Sequence, residues 1–314
     1  MFRSFIATLH DPAVRDLAWV ISSPVLLDAS HPGYQGHVVD DLWCEEQLRA
    51  CAAWLTALNL SPAPLHDFIS ARPTRRLGHY FETLITFWLT RMPETQLIAT
   101  NLQVQSEQRT MGEYDFLFRD AKGAVYHWEA AVKFYLQVEP RAEQHAFIGP
   151  GTRDRLDLKL NKVFQQQLLL SHTAAGQHAL PQGIKPDETQ AFIKGYLFYH
   201  AATNDTQSIS GVSATHLSGW WVRQALEKLP QSTADSRWAL LPRLRWLAPA
   251  YITDEKMLMT YPALNNQLDQ HFSANSDAVL VFEMIRSQAG GWHEQSRGFV
   301  VCSSWPIIAT SAAS

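Results

Sequence analysis

The sequence predicts an α/β fold whose core runs α-β-β-β-α-β, a mixed sheet flanked by helices, and three observations lead there. Leu77, Phe81, Leu84, Ile85 and Trp88 recur at the spacing of one helix face. Three extended segments follow between Ile98 and Leu136, rich in β-branched and aromatic residues and separated by turn residues. A glycine-containing loop, a helical pattern and the apolar run AFIKGYLFYH then close the series. Strand, helix and strand in that order imply a right-handed crossover and a parallel pairing.

Residues 1–70 read as a helical layer. Asp11-Pro12 is an N-cap and N1 pair for a helix reaching about Ser22. Cys44, Leu48, Cys51, Leu55 and Leu58 form the apolar stripe of a second helix, which SPAPLHDF interrupts. The core occupies 71–200. Its first helix starts just after a Thr74 cap, an extended segment covers about Ile98 to Gln105, and a turn is expected at Thr110-Met111-Gly112 before the strand EYDFLF. Asp120-Ala121-Lys122-Gly123 supplies a hairpin turn into AVYHWEAAVKFYL, so the three strands form an antiparallel meander. Leu156, Leu160, Val163 and Phe164 give the inward face of the crossover helix. Residues 201–314 read as an α+β extension packed on the core, with a short strand HLSGWWV and a hairpin of AVLVFEMIR and RGFVVC around Gly290-Gly291.

With 314 residues, 46% of them hydrophobic, the chain can bury a large core. No apolar run reaches the roughly 18 residues of a membrane span, and Asp11 and Pro12 interrupt the N-terminus before a signal-like segment forms. A cytoplasmic protein without membrane contact is expected. Three cysteines argue against a disulfide framework, and the seven-residue step from Cys44 to Cys51 is not that of a metal knuckle. The net charge of −4 means that any polyanion site must be local. Basic residues do cluster, at Arg72, Arg75 and Arg76 and again at Arg141, Arg153, Arg155, Lys159 and Lys162. Either cluster alone reads as a solvated face.

Alternation along the third strand puts His127, Glu129, Ala131, Lys133 and Tyr135 on one face and Trp128, Ala130, Val132 and Phe134 on the other. Charges in the middle of a sheet are costly unless paired or metal-bound. Asp115 on the preceding strand can face Glu129 across the hairpin, and a divalent cation relieves the repulsion of two such carboxylates. Mg²⁺ held this way suits phosphodiester hydrolysis, with a nearby lysine to orient water or neutralise charge. Glu82 could complete the ligand set from the first helix. Gly149-Pro150-Gly151 leads into a helix N-terminus flanked by Arg153 and Arg155, a place for a phosphate, with Lys159 and Lys162 following on the exposed side.

The run GEYDFLF, a short turn and YHWEAAVKFYL resemble the "GE-x-D, then E-x-K" hairpin of the PD-(D/E)XK nuclease superfamily, and LGHYFETL resembles its first helix. The resemblance covers roughly 90 residues and rests on a degenerate signature, so its weight comes from the ordered combination. It implies a restriction-endonuclease-like core in which Asp115 and Glu129 are metal ligands, Lys133 is the catalytic lysine and Glu82 an auxiliary acid. The whole chain also resembles an uncharacterised bacterial domain-of-unknown-function family that carries this hairpin and the segment IGPGTRDRLDLK. One departure stands out: the position two after Glu129 is Ala131, and the lysine comes at Lys133, roughly 7 Å further along the same face.

The function expected is therefore a Mg²⁺- or Mn²⁺-dependent nuclease acting on DNA or RNA, with Arg76, Arg153, Arg155, Lys159 and Lys162 for phosphate or nucleic-acid contact. The alternatives are a catalytically inactive nuclease-fold protein that binds nucleic acid or a partner protein, and a structural module in which these charges form a polar network. Glu113 is a minor substitute for Asp115, and His127 is expected to be a partly buried histidine bonded to a neighbour. Trp220, Trp221, Trp238, Trp246, Trp292 and Trp305 are read as core residues rather than base-stacking ones. Glu283 has no partner that the sequence identifies.

Overall fold

The computed structural model describes residues 2–34, 36–93, 95–106, 109–139, 142–203, 208–287 and 290–306. It is a mixed α/β structure with eight α-helices among those residues and a ten-stranded mixed sheet. The helical layer comprises α1 (Phe2–Ala7), α2 (Pro12–Ser22), α3 (Asp41–Leu60) and α4 (Ala63–Ser70). Asp11 caps α2 as its sequence dictates, its side chain accepting from the Ala13 and Val14 N–H groups. In α3 the stripe Cys44, Leu48, Cys51, Leu55 and Leu58 is buried. The segment SPAPLHDF ends α3 at Leu60 as expected, and α4 starts within it, with Pro64 in its first turn, where the missing N–H is no loss.

The core order follows: α5 (Leu77–Arg91), β1 (Gln96–Ser106), β2 (Arg109–Arg119), β3 (Val125–Gln137), the two-residue β4 (Phe147–Ile148), α6 (Leu156–Lys162), α7 (Ala174–Ala179) and β5 (Glu188–His200). Strands β1, β2 and β3 form the antiparallel meander. The turn expected at Thr110-Met111-Gly112 is instead strand, with Thr110 opposite Gln105 and Gly112 opposite Val104. At the next turn Gly123 adopts φ +88°, and the Asp120 carboxylate accepts from the Lys122 and Ala124 N–H groups. Strand β5 lies beside β3. At their crossing Gly195 has φ +147°, and a Cβ there would come within 1.8 Å of the Lys133 carbonyl oxygen, so this position admits only glycine. The remaining elements are β6 (Leu217–Arg223), β7 (Arg237–Leu240), β8 (Tyr251–Ile252), α8 (Tyr261–Ala274), β9 (Val279–Arg286) and β10 (Trp292–Val301). The sheet order is β1-β2-β3-β5-β6-β10-β9-β7, with β4 paired to β3 and β8 to β10.

Two compact units divide the chain. The first is 1–133, 159–195 and 211–216. Its core is aromatic: Trp128 stacks on Phe192 at 4.6 Å, Phe192 on Phe81 at 6.1 Å, and Trp43 meets Trp128 edge-on at 5.2 Å. Trp128 thus fills the face of β3 opposite Glu129. The second unit is 134–158, 196–210 and 217–314. Here β5 pairs with β6 and β6 with β10 in parallel, and β9 and β10 make the expected antiparallel hairpin. Val222, Trp238, Leu264, Val281 and Val300 form one of its cores. Trp221, Trp238, Trp246, Trp292 and Trp305 are buried, and Trp220 packs against that core. Glu283 does have partners: its carboxylate accepts from the Ser232 N–H at 2.6 Å and from the hydroxyls of Ser232, Ser236 and Ser296 at 2.7 to 2.9 Å.

Candidate metal centre

The hairpin places Asp115 and Glu129 together in the first unit. Backbone pairing between β2 and β3 runs from Arg119 opposite Val125 to Phe116 opposite Trp128. One step on, the Asp115 side chain takes over: its Oδ2 accepts from the Ala130 N–H at 2.9 Å, which fixes the carboxylate beside Glu129. Glu129 is near enough for its charge to act on Asp115. Both are buried, Asp115 at 9% and Glu129 at 1% exposure. Glu129 is oriented from two more sides. His127 Nε2 lies 3.1 Å from Oε1, and the Gln167 amide donates to Oε2. His127 is bonded to a neighbour as expected, and it is fully rather than partly buried.

Burial and mutual repulsion control the protonation of this group. Burial, followed by the charge of Glu129, pushes Asp115 up to about 7. Burial pushes Glu129 up to about 8, partly offset by the positive charge of Lys159. Glu82, half-buried on α5, rises to about 7 through burial and then through the charge of Asp115. Burial drives His127 down to about 4, so it is neutral, and with Glu129 ionised its Nε2 carries the proton. Its Nδ1 is buried without a hydrogen-bond partner among the described residues.

These shifts link stability to pH. The folded state holds carboxyl protons that the unfolded chain, with pKa values near 4, has released. That contribution is complete below about pH 4 and is lost as pH rises through 7 and 8. His127 works in the opposite sense, favouring the folded state above its unfolded value near 6.5 and losing that contribution as pH falls through about 4. Above pH 7 the contribution of His127 no longer changes, whereas that of the carboxyls still does. Metal-free protein is therefore expected to melt at least about 2 °C lower at pH 9 than at pH 7, and Glu129→Gln to flatten that slope, as read by thermal unfolding. A wild-type slope no steeper than that of the variant would show that the buried carboxyls do not hold their protons.

The donor set suits a hard divalent cation. Among the described residues no three His, Cys, Asp or Glu side chains converge as a metal-binding group. Asp115 and Glu129 offer two carboxylates, and Glu82 on α5 is near enough for the charge of Asp115 to act on it. Two carboxylates, with water and substrate phosphate filling the other positions, is a usual protein contribution to Mg²⁺. A cleft of about 480 Å³ opens beside Glu82 and Glu113, lined also by Arg72, Thr74, His79 and Thr100.

The predicted basic residues divide. Lys159, expected on an exposed face, is half-buried; its Nζ donates to Gln167 Oε1 at 3.1 Å, and it is the leading positive charge on both Asp115 and Glu129. Lys162 is exposed and adds a smaller charge to Glu129. Lys133 is half-buried and acts on Lys159, whose pKa is lowered by burial and then by Lys133. Arg76 is exposed at the N-cap of α5. In the second unit Arg153 is exposed, while Arg155 forks onto Asp157 at 2.6 and 2.9 Å. That carboxylate occupies the first turn of α6, and the Gly149 N–H is already bonded to the Asp154 carbonyl at 2.7 Å. The glycine loop is thus folded on itself rather than held open for a phosphate. Arg141 lies outside the described residues. Gln167 was missed, since an amide among three consecutive glutamines on a helix carries no distinguishing signal.

Among the described residues no helix is long and apolar enough to cross a membrane. No curated protein and no solved structure matches the chain. A family profile described as "Domain of unknown function (DUF1853)" matches residues 15–301, and the chain belongs to that family.

Proposed function

We propose that this protein is a Mg²⁺- or Mn²⁺-dependent nuclease built on a restriction-endonuclease-like core of PD-(D/E)XK type. The observation that carries the reading is the buried pair of Asp115 and Glu129, held side by side with pKa values near 7 and 8. Carboxyls kept partly protonated at neutral pH by burial and repulsion are poised to exchange those protons for a cation. A bound Mg²⁺ or Mn²⁺ would polarise a phosphoryl oxygen and lower the pKa of bound water. The chain's own residues supply the rest. The Ala130 N–H and His127 fix the carboxylate rotamers, and Gln167 fixes the outer oxygen of Glu129. Lys159 places positive charge where phosphate negative charge would lie. Arg72 and His79 line the adjoining cleft, through which a nucleic-acid strand would approach Glu82.

A second reading, a nuclease-fold protein that binds without cutting, draws on one observation: the Glu129 oxygens already have protein partners in His127 and Gln167. Cleavage of single-stranded DNA, plasmid and RNA by the purified protein, with Mn²⁺, with Mg²⁺ and with chelator, separates the two. The nuclease reading expects product from at least one substrate, dependent on metal and lost with chelator. Intact substrate in every case, from folded protein, sinks it. Retained substrate binding in that case would favour the second reading.

A further inference from the structure

Helix α6 does not run on as an α-helix. Residues Val163–Gln167 form a π turn, with the Leu168 N–H bonded to the Val163 carbonyl at 2.9 Å, five residues back. In a continuous α-helix Gln167, eight residues beyond Lys159, would point roughly 80° away from it. The wider π turn holds one more residue, so it rotates Gln167 back toward the Lys159 row. Such turns are rare and frequently sit at functional sites. Here the turn brings Gln167 onto Glu129 and Lys159 at once.

We propose that Gln167 is the positioning residue that holds Glu129 and Lys159 as one unit, and that Lys159, rather than Lys133, is the lysine serving the scissile phosphate. The proposal rests on the nuclease reading. A side-chain amide has a donor at one end and an acceptor at the other, so it can bind a carboxylate and an ammonium simultaneously without changing charge. Its orientation is dictated by those neighbours: the ammonium cannot accept and the ionised carboxylate cannot donate. The spacing matters as much as the link. Direct pairing of Lys159 with Glu129 would set an ammonium on the oxygen that a cation needs. With the amide between them, the lysine stays beside the acids, and two of its three N–H donors are not used by Gln167. The lysine thus comes from the helix that covers the site, which accounts for Ala131 standing where the strand would otherwise carry one.

The test compares Gln167→Leu, Gln167→Glu, Lys159→Met and Lys133→Met with wild type in four readouts: Mn²⁺ affinity by calorimetry, kcat for cleavage, the pH profile of kcat, and thermal unfolding. Gln167→Leu is expected to lose about 10- to 100-fold in Mn²⁺ affinity or kcat, the range for residues that orient metal ligands. Gln167→Glu keeps an acceptor for Lys159 but sets a second charge against Glu129. It is expected to move the acid limb of the profile to higher pH, a shift that loss of packing alone does not cause. Lys159→Met is expected to cost about 10²-fold or more in kcat with Mn²⁺ affinity kept, and Lys133→Met less than about tenfold. Thermal unfolding identifies a variant that fails to fold, and Gln167→Glu, isosteric with the native residue, then carries the test. If Gln167→Leu and Gln167→Glu match wild type in affinity, rate and profile, or if Lys133→Met is inactive while Lys159→Met is not, the proposal is overturned and the nuclease reading stands. Wild type that binds no Mn²⁺ and cuts nothing overturns both.

Discussion

Asp115→Asn is expected to reduce metal-dependent cleavage by about 10³-fold or more while leaving the fold intact, because the missing charge amounts to several kcal/mol of cation and transition-state stabilisation. Asparagine is the informative replacement: its amide oxygen can still accept from the Ala130 N–H, so the β2–β3 junction is kept. Glu129→Gln should cost at least as much, with an added local penalty. When ionised, as it must be to hold a cation, Glu129 accepts from His127 at one oxygen and from Gln167 at the other, whereas a glutamine presents only one acceptor to those two donors. Cleavage and Mn²⁺ calorimetry, run beside wild type, measure both effects. Full activity in Asp115→Asn would remove the carboxylate pair from the chemistry. Wild type stabilised by Mn²⁺, with neither variant stabilised, would tie the metal to these two oxygen donors even before a substrate is known.

The carboxylate pair was legible because it depends on short-range geometry. Strand alternation fixes the face of Glu129, and a four-residue turn at Asp120–Gly123 fixes which residue of β2 lies opposite. The direction of Gln167 was not legible, because it depends on a departure from helical period that leaves no mark on the apolar pattern. Leu156, Leu160 and Val163 face inward in either geometry. Lys159, on the regular part of the helix, looked exposed for a different reason: it lies off the apolar stripe, and only the acids beneath it turn that flank into an interior. Gly112 misled in the opposite way. Its glycine suggested a turn, but the strand passes through it, and a Cβ there would meet only the Leu170 side chain at ordinary contact distance. The helix that follows the interruption at SPAPLHDF was not legible: it is only eight residues long, with Pro64 in its first turn.

In the second unit, removing Glu294 is expected to destabilise the protein by about 3 to 5 kcal/mol, because it strands a buried charge. Arg297 on β10 is 2% exposed. Its guanidinium forks onto Glu294 at 2.6 and 2.8 Å and donates to the Trp246 and Ala248 carbonyls at 2.5 and 3.0 Å. Glu294 in turn accepts from the Ala250 N–H at 2.6 Å. The arginine therefore ties the segment from Trp246 to Ala250 to the sheet, and the Glu294 carboxylate is paired with its charge. Glu294→Ala leaves the cation without that pairing. The paired replacement Arg297→Met with Glu294→Leu removes both charges and keeps apolar volume, so it should be milder than Glu294→Ala alone, since an ion pair in the interior offsets its own desolvation only when complete. Urea unfolding of wild type, Glu294→Ala, Glu294→Leu, Arg297→Met and the double variant decides the matter. A double variant as unstable as the sum of its single changes would mean that the two charges act independently, each through its bonds to the backbone rather than through the other.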